Sequence, residues 1–299
     1  MRLIHLTDPH LTSLENQSLP GLSAKRSLSY LSWRRKRRFQ HDPAALEFLT
    51  RSLRAEQADQ ILVTGDLTHI GLAEEIRAAR VWLESLGVAD RVMLVPGNHD
   101  LMARDSWGAA SNVWGDYLHL DAGQAGVSVQ DAFPIIREFT EVAIIGVTSA
   151  HPTPILMASG SLGSDQMRRL EAMAGQVKKR GKFCCLMIHH PPIPGIVGRR
   201  RALADAAQLE SLLERRSVDL VLHGHTHRNE EIALGGRMIY STASASSITS
   251  HAPAAYRVID VQKHGAGWQV SMALKSLVAG QADAWSMKTI EQACWQAEG

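Results

Sequence analysis

Cysteine is nearly absent, with three in 299 residues and two of them adjacent, Cys184 and Cys185, inside an apolar run. That excludes a disulfide framework and leaves buried free thiols in a reducing compartment as the expectation. No run of 18 apolar residues exists, so no transmembrane helix is expected. The opening stretch MRLIHLTDPH is too short in apolar residues for a signal-peptide core and reaches Asp8 quickly, which points to the cytoplasm. The net charge of +2 is too small to imply a nucleic-acid partner. Several catalytic signatures are missing as well. There is no HExxH and no GxSxG, and the nearest approach to a phosphate-binding loop, GQVKKRGKF at 175–183, has the wrong spacing. That stretch reads as the end of a basic helix, with Gly181 closing it before a strand.

Histidine, by contrast, is plentiful, at 14. Short apolar runs recur at 2–10, 60–66, 91–100, 142–150, 183–192, 218–227 and 237–245, each ending in polar residues, and read as buried strands. Between several of them, apolar residues at three and four spacing predict helices over 44–53, 73–86, 164–177 and 204–213, with Ser164 and Asp205 as helix starts. The alternation predicts an α/β fold in one domain. Residues 256–262 and 268–276 read as a hairpin, so the sheet is expected to be mixed.

Each cluster rich in Asp, Asn and His directly follows a predicted strand: DPH (8–10), GD (65–66), GNHD (97–100), HHPP (189–192) and GHTH (224–227). Ligands of open α/β sheets gather at the carboxyl ends of strands, so five clusters distant in sequence are expected to meet. Any one of them alone reads as a turn or a strand end. Together they offer more carboxylate, amide and imidazole ligands than one divalent ion needs, and no thiolate, which suits Mn, Fe, Zn, Co or Ni. HGHTH (223–227) raises a counting problem, since simple alternation puts His223, His225 and His227 on one face.

The order DPH…GD…GNHD…HHPP…GHTH resembles the signature of the calcineurin-like metallophosphoesterase superfamily, and within it the bacterial class III cyclic nucleotide phosphodiesterases and glycerophosphodiesterases. The resemblance implies a four-layer αββα sandwich with mixed sheets. It implies two metal ions, Mn or Fe being favoured: Asp8, His10 and His227 on the first, Asn98, His189 and His225 on the second, Asp66 bridging. It gives His99 to the phosphate or the leaving oxygen, with Asp100 orienting it, and leaves His223 as a packing residue. His190 becomes a candidate either to support the ligands from behind or to face substrate. The reaction implied is hydrolysis of a small phosphodiester, a cyclic nucleotide or glycerophosphodiester, by in-line attack of a metal-bridging hydroxide. A lipid-linked nucleotide pyrophosphatase of the UDP-diacylglucosamine type and a non-catalytic scaffold stand as alternatives, though every motif position is intact.

Outside the motifs, residues 24–40 (AKRSLSYLSWRRKRRFQ) hold seven Lys or Arg interleaved with aromatics. The segment reads either as a solvated helix whose aromatics pack on the body or as a basic cap near the metals that meets an anionic head group, an acidic membrane surface or lipid, or a second subunit of a homo-oligomer. The membrane option would place the protein at the inner membrane face. Arg199 and Arg200, with Arg201, could reach a phosphate from the loop after HHPP, and His69 and His251 are further substrate-side candidates. The expected organisation is a metallophosphoesterase domain over 1–280, including the 24–40 insertion, then a helical tail over 281–299. Trp285 and Trp295 of that tail are expected to cover a sheet edge or meet a partner.

Overall fold

The computed structural model describes residues 1–11, 14–15, 17–18, 20–120, 127–215, 217–279 and 285–298. Three apolar runs too short for helices, β1 (Arg2–Leu6), β2 (Gln60–Val63) and β3 (Val92–Leu94), pair in parallel, with Leu3 opposite Gln60 and Ile61 opposite Val92. A second sheet holds β4 (Ile135–Glu138), β5 (Val142–Gly146), β6 (Phe183–Met187), β7 (Leu220–His223), β8 (Glu230–Leu234) and β9 (Arg237–Ser241), in the order β4-β5-β6-β7-β9-β8. Its four central strands are parallel and its two edge strands antiparallel. The first sheet is completed beyond β1 by antiparallel β10 (Ala255–His264), β11 (Gly267–Ala279) and β12 (Trp285–Ala297).

The layers follow from strand periodicity. On β6, Phe183, Cys185 and Met187 enter the core shared by the two sheets, while Cys184 and Leu186 enter a separate core. That second core lies beneath α6 (Gly163–Lys179) and α7 (Ala206–Glu214). Both thiols are therefore buried, and strands covered on both faces need the continuous apolar runs seen in the sequence. On the other side, α2 (Pro43–Arg54) and α3 (Ala73–Leu86) press Leu46, Leu49 and Leu53, and Ile76, Ala79 and Leu83, into the core of the first sheet. Asp42 caps α2 by accepting from Ala44 N at 2.8 Å, ahead of Pro43, whose missing N–H costs nothing there. Helix, sheet, sheet and helix stack in that order, as expected for an αββα sandwich.

Two local expectations are corrected. The tail is not helical: residues 285–297 form β12, which pairs along β11 from Ala279 opposite Trp285 to Trp268 opposite Ala297. The cause is tertiary, because β11 exposes a long row of unpaired backbone groups that a neighbouring strand satisfies and a helix does not. Residues 281–284 lie outside the described residues. Asp205 does not cap its own helix; its carboxylate accepts from Leu162 N and Gly163 N at 2.9 and 2.8 Å, so it caps α6 from across the chain, while α7 begins at Ala206.

Candidate metal centre

The strand ends meet as the topology requires. β1 delivers Asp8 and His10, β2 delivers Asp66, the loop after β3 delivers Asn98, β6 delivers His189, and β7 delivers His225 and His227. Backbone bonds lock these loops together: Asp8 N to Gly65 O at 3.0 Å, His10 N to Asp66 O at 3.1 Å, Gly224 N to His189 O at 3.0 Å. Asp8, His10, Asp66, His225 and His227 all have φ between 43° and 70°, a left-handed conformation that costs an ordinary side chain energy and persists only where surroundings impose it. The bends at 225 and 227, rather than one at Gly224, break the simple alternation of HGHTH. Gly224 is needed for another reason: a Cβ there would overlap the Thr7 hydroxyl, with Asp8 Oδ2 at 2.7 Å.

The donor atoms form two groups. Asp8 Oδ1 and His10 Nε2 lie 3.1 and 3.3 Å from His227 Nε2. Asn98 Oδ1 lies 3.1 Å from His189 Nε2 and 2.8 Å from His225 Nδ1, with Asp66 Oδ2 3.4 Å from His189 Nε2. Asp66 belongs to both: donor atoms of Asp8, His10 and Asp66 lie within 4.8 Å of one another, and so do those of Asp66, His189 and His225. The outer nitrogens are already committed, His10 Nδ1 to Thr68 O at 3.0 Å and His189 Nδ1 to Thr64 O at 2.6 Å, which turns both Nε2 lone pairs inward in the manner of metal ligands. Asp8 Oδ1 is enclosed and, with His227 Nε2 3.1 Å away, still has no hydrogen-bond partner. A buried carboxylate oxygen in that state, packed among imidazole nitrogens and a second carboxylate, fits a cation, and the set fits transition metals.

The electrostatics agree. Burial holds His10 and His225 well below the usual imidazole value, keeping them neutral as ligands must be. His189 differs: burial opposes its charged form, but Asp66 and Asp8 outweigh it and lift it to about 9, so metal binding there has to displace a proton. Burial favours neutral Asp66, yet His189 and His99 hold its carboxyl well below the ordinary range.

Around this centre the remaining sequence candidates separate. His99 is held by its N–H to Asp66 Oδ1 at 2.7 Å, and its Nδ1 meets His69 O at 2.5 Å. Burial pushes it down to about 4, Asp66 opposing and Arg37 adding to the effect. Asp100 does not orient it. Its carboxylate accepts from Thr68 N, Thr68 Oγ1 and Gly97 N at 2.9–3.0 Å, tying the loop after β3 to the loop after β2, and burial followed by repulsion from Asp66 raises it to about 7. His190 does not face substrate either, since Nδ1 meets Ser149 Oγ at 2.7 Å and Nε2 meets Ala158 O at 3.1 Å in a fully buried site. His69 is buried and stacked on His10, with ring centroids 5.1 Å apart. His223 is buried at the end of β7, outside both donor groups.

Two cavities flank the centre, with His41 lining both. One of about 330 Å³ is lined by Lys36, Arg201, Arg228, His227, Thr226 and His251 among others, and by no carboxylate. The other, of about 300 Å³, holds Trp33, Leu11, Pro43 and Leu46 beside His10 and His69. Arg201, which donates to His225 O at 2.8 Å, is thus the arginine of its loop that reaches the site, whereas Arg199 and Arg200 are exposed and line neither cavity. His41 was not foreseen. Its ring lies 4.7 Å from that of His10, and a nitrogen of it falls within 4.8 Å of donor atoms of His10 and His227. Only its place directly after the basic segment marked it in the sequence.

That segment is a helix whose inner aromatics pack on the body and whose basic outer face is solvated, with its end beside the candidate centre. Residues 24–35 form α1 (Ala24–Arg35), started by Ser23, followed by a 3-10 turn at Arg37–Phe39. Tyr30 and Trp33 pack inward with Ile70, Met102 and Leu14. Buried Arg26 pins the helix by donating to Ile70 O, Gly71 O and Ser106 Oγ at 2.6–3.0 Å, and Lys25 reaches Thr153 O at 3.0 Å. The aromatic side chains that would enter a membrane are spent on the body, leaving Leu28 and Phe39 as the exposed apolar residues of the cap. Among the described residues no helix is long and apolar enough to cross a membrane.

Comparison with known proteins places this geometry. A family model described as calcineurin-like phosphoesterase matches residues 1–229. A probable cyclic nucleotide phosphodiesterase of Vesicomyosocius okutanii is 23% identical over 193 residues, 63% of this chain and 70% of the relative. Another from Pseudoalteromonas is 23% identical over 270 residues, covering 90% and 83%. The glycerophosphodiester phosphodiesterase GpdQ of Enterobacter lignolyticus is 30% identical over 179 residues, covering 58% and 57%. Among solved structures, a dimetal phosphatase from Danio rerio superposes with a TM-score of 0.58 at 14% identity, covering 98% of each chain. GAP50, the anchor in the inner membrane complex of Plasmodium, gives 0.58 at 13%, covering 100% and 89%. At identities this low the superpositions show a shared fold alone.

Proposed function

The chain belongs to the calcineurin-like phosphoesterase family and is a metal-dependent phosphoester hydrolase, and from that premise we propose that it hydrolyses small phosphodiesters at a centre of two transition-metal ions. Asp8, His10 and His227 would hold one ion, Asn98, His189 and His225 the other, and Asp66 both. The observation that carries this reading is the sharing of Asp66 between two donor groups at the meeting of the strand ends. When bound, such ions supply Lewis acidity and a nucleophile at neutral pH. Water adds to phosphorus, one phosphorus–oxygen ester bond breaks, and the products are a monoester and an alcohol.

The protein's own part is arrangement. His99, fixed at its backbone by Asp66 and at Nδ1 by the His69 carbonyl, presents Nε2 towards the site, where it meets a phosphoryl or leaving oxygen. Asp100 braces the loop that carries Asn98 and His99. A second reading, a pyrophosphatase of lipid-linked nucleotides, is favoured by the pairing of a cation-lined cavity with one that sets Trp33, Leu11, Pro43 and Leu46 beside Arg38 and Glu15, on either side of His41. Protein loaded with Mn is expected to cleave bis(p-nitrophenyl) phosphate, and Asn98→Ala or His189→Ala to abolish that cleavage. Absence of metal-dependent turnover on any phosphoester would sink both readings. Relative rates on cAMP, glycerophosphocholine and UDP-diacylglucosamine decide between them.

A further inference from the structure

Arg37 stands in the 3-10 turn that ends the cap. Its neighbours Arg34, Arg35, Lys36 and Arg38 are exposed, but its own side chain is half-buried and turned into the site. Nη2 donates to Ser29 O at 3.0 Å. Nη1 lies 3.0 Å from His99 Nε2. Nη1 is also 3.2 Å from His99 Nδ1, so the guanidinium lies against the ring, and because Nδ1 donates to His69 O, Nε2 is the ring nitrogen without a proton. The Arg37 Nε is enclosed without a partner. Among the described residues no carboxylate lies in ion-pair reach of this guanidinium, and Asp66 and Glu75 act on it only through longer-range attraction.

A charged fork held against a neutral carbonyl and a neutral imidazole, with one donor unused, is poorly compensated for its burial. Anions satisfy such a fork far better, through charge-assisted and often bidentate bonds. We propose that Arg37 is a catalytic residue that binds the phosphoryl group undergoing displacement. On substrate entry it exchanges its bond to His99 for one to a non-bridging phosphoryl oxygen, and it stabilises the charge that grows on that oxygen. The same exchange frees His99 Nε2. The cap thereby contributes a reacting-centre group from outside the family's motifs. This inference rests on the phosphodiesterase reading above.

The test compares Mn-loaded wild type, Arg37→Ala, Arg37→Lys and, as a control on an exposed cap residue, Arg34→Ala. Metal content, melting temperature, kcat on bis(p-nitrophenyl) phosphate and calorimetric binding of inorganic phosphate are measured on each. Arg37→Ala is expected to keep its metals and fold while kcat falls about 100-fold, the scale of losing one transition-state donor. Phosphate binding weakens about 10-fold, added guanidinium restores part of the rate, and Arg37→Lys recovers little because a point charge lacks the fork. Arg34→Ala behaves as wild type. Retention of kcat within about twofold with unchanged phosphate binding overturns the proposal. So does a loss of kcat that leaves phosphate binding intact and ignores guanidinium, or a loss of metal. If wild type itself turns over no phosphoester, the phosphodiesterase reading has failed, and the phosphate titration still decides whether Arg37 binds the anion.

Discussion

The metal centre and the cap solve opposite problems with similar polar residues. At the centre, seven candidate ligands come from five loops that follow parallel strands, and five of their backbones are held in left-handed conformations where the loops bond to one another. In the cap, one continuous segment supplies everything, and its backbone is an ordinary helix held down by Arg26, Tyr30 and Trp33. The first region cannot relax without disturbing both sheets; the second is held by side-chain contacts along the helix and by the bond from Ile248 N to Gln40 O at its end. Precision resides in the sandwich, and the cap adds reach.

Three measurements would break or sharpen that contrast. The largest effect is expected from Asp66→Ala, since Asp66 belongs to both donor groups. Both ions should be lost together, with affinity falling more than about 100-fold, beyond the range of residues that only orient ligands. Loss of one ion alone by elemental analysis would show the two groups to be independent. A smaller effect is expected from Arg26→Ala, which removes hydrogen bonds to Ile70 O, Gly71 O and Ser106 Oγ while leaving every candidate ligand in place. Thermal unfolding should report about 2 kcal/mol lost, and metal content should hold while kcat drops, because the same helix delivers Arg37. A parallel loss of metal would mean that the cap is part of the centre.

The third effect concerns pH in protein stripped of metal. His189 rises from an ordinary imidazole value to about 9 beside Asp66. The folded state therefore binds the extra proton more tightly than the unfolded chain does. The stabilisation is complete below the ordinary value near 6.5 and is lost as pH climbs through 9. Chelated protein should lose melting temperature across that window, and Asp66→Asn should flatten the loss.

Much of the centre was legible because its residues announce themselves. Asp8, His10, Asp66, Asn98, His189, His225 and His227 each follow an apolar run, and a strand end leaves its side chains in the common cleft whatever the loop does next. His190 and Asp100 were assigned too close to the chemistry. Adjacency to a candidate ligand says nothing about which way a side chain turns, and the Ser149 and Thr68 contacts that turn them lie 41 and 32 residues away in sequence. His41 and Arg37 were missed as individuals for the same reason: nothing local separates one inward cation or imidazole from its exposed neighbours. The tail was misread because helix and strand compete closely in a short amphipathic stretch until an open sheet edge decides.

Sequence alone determined the alternation of strands and helices and the supply of candidate ligands, because hydrophobic periodicity and strand-end chemistry are local and each run carries its own signal. The sandwich itself was implied by the motifs' resemblance to a known family. Tertiary structure decided what that supply is for. It brought Asp66 between two groups of donors, aimed Arg37 at His99, and turned the last strand onto β11. These are meetings of residues far apart in the chain, and their energies exist only once the loops have closed.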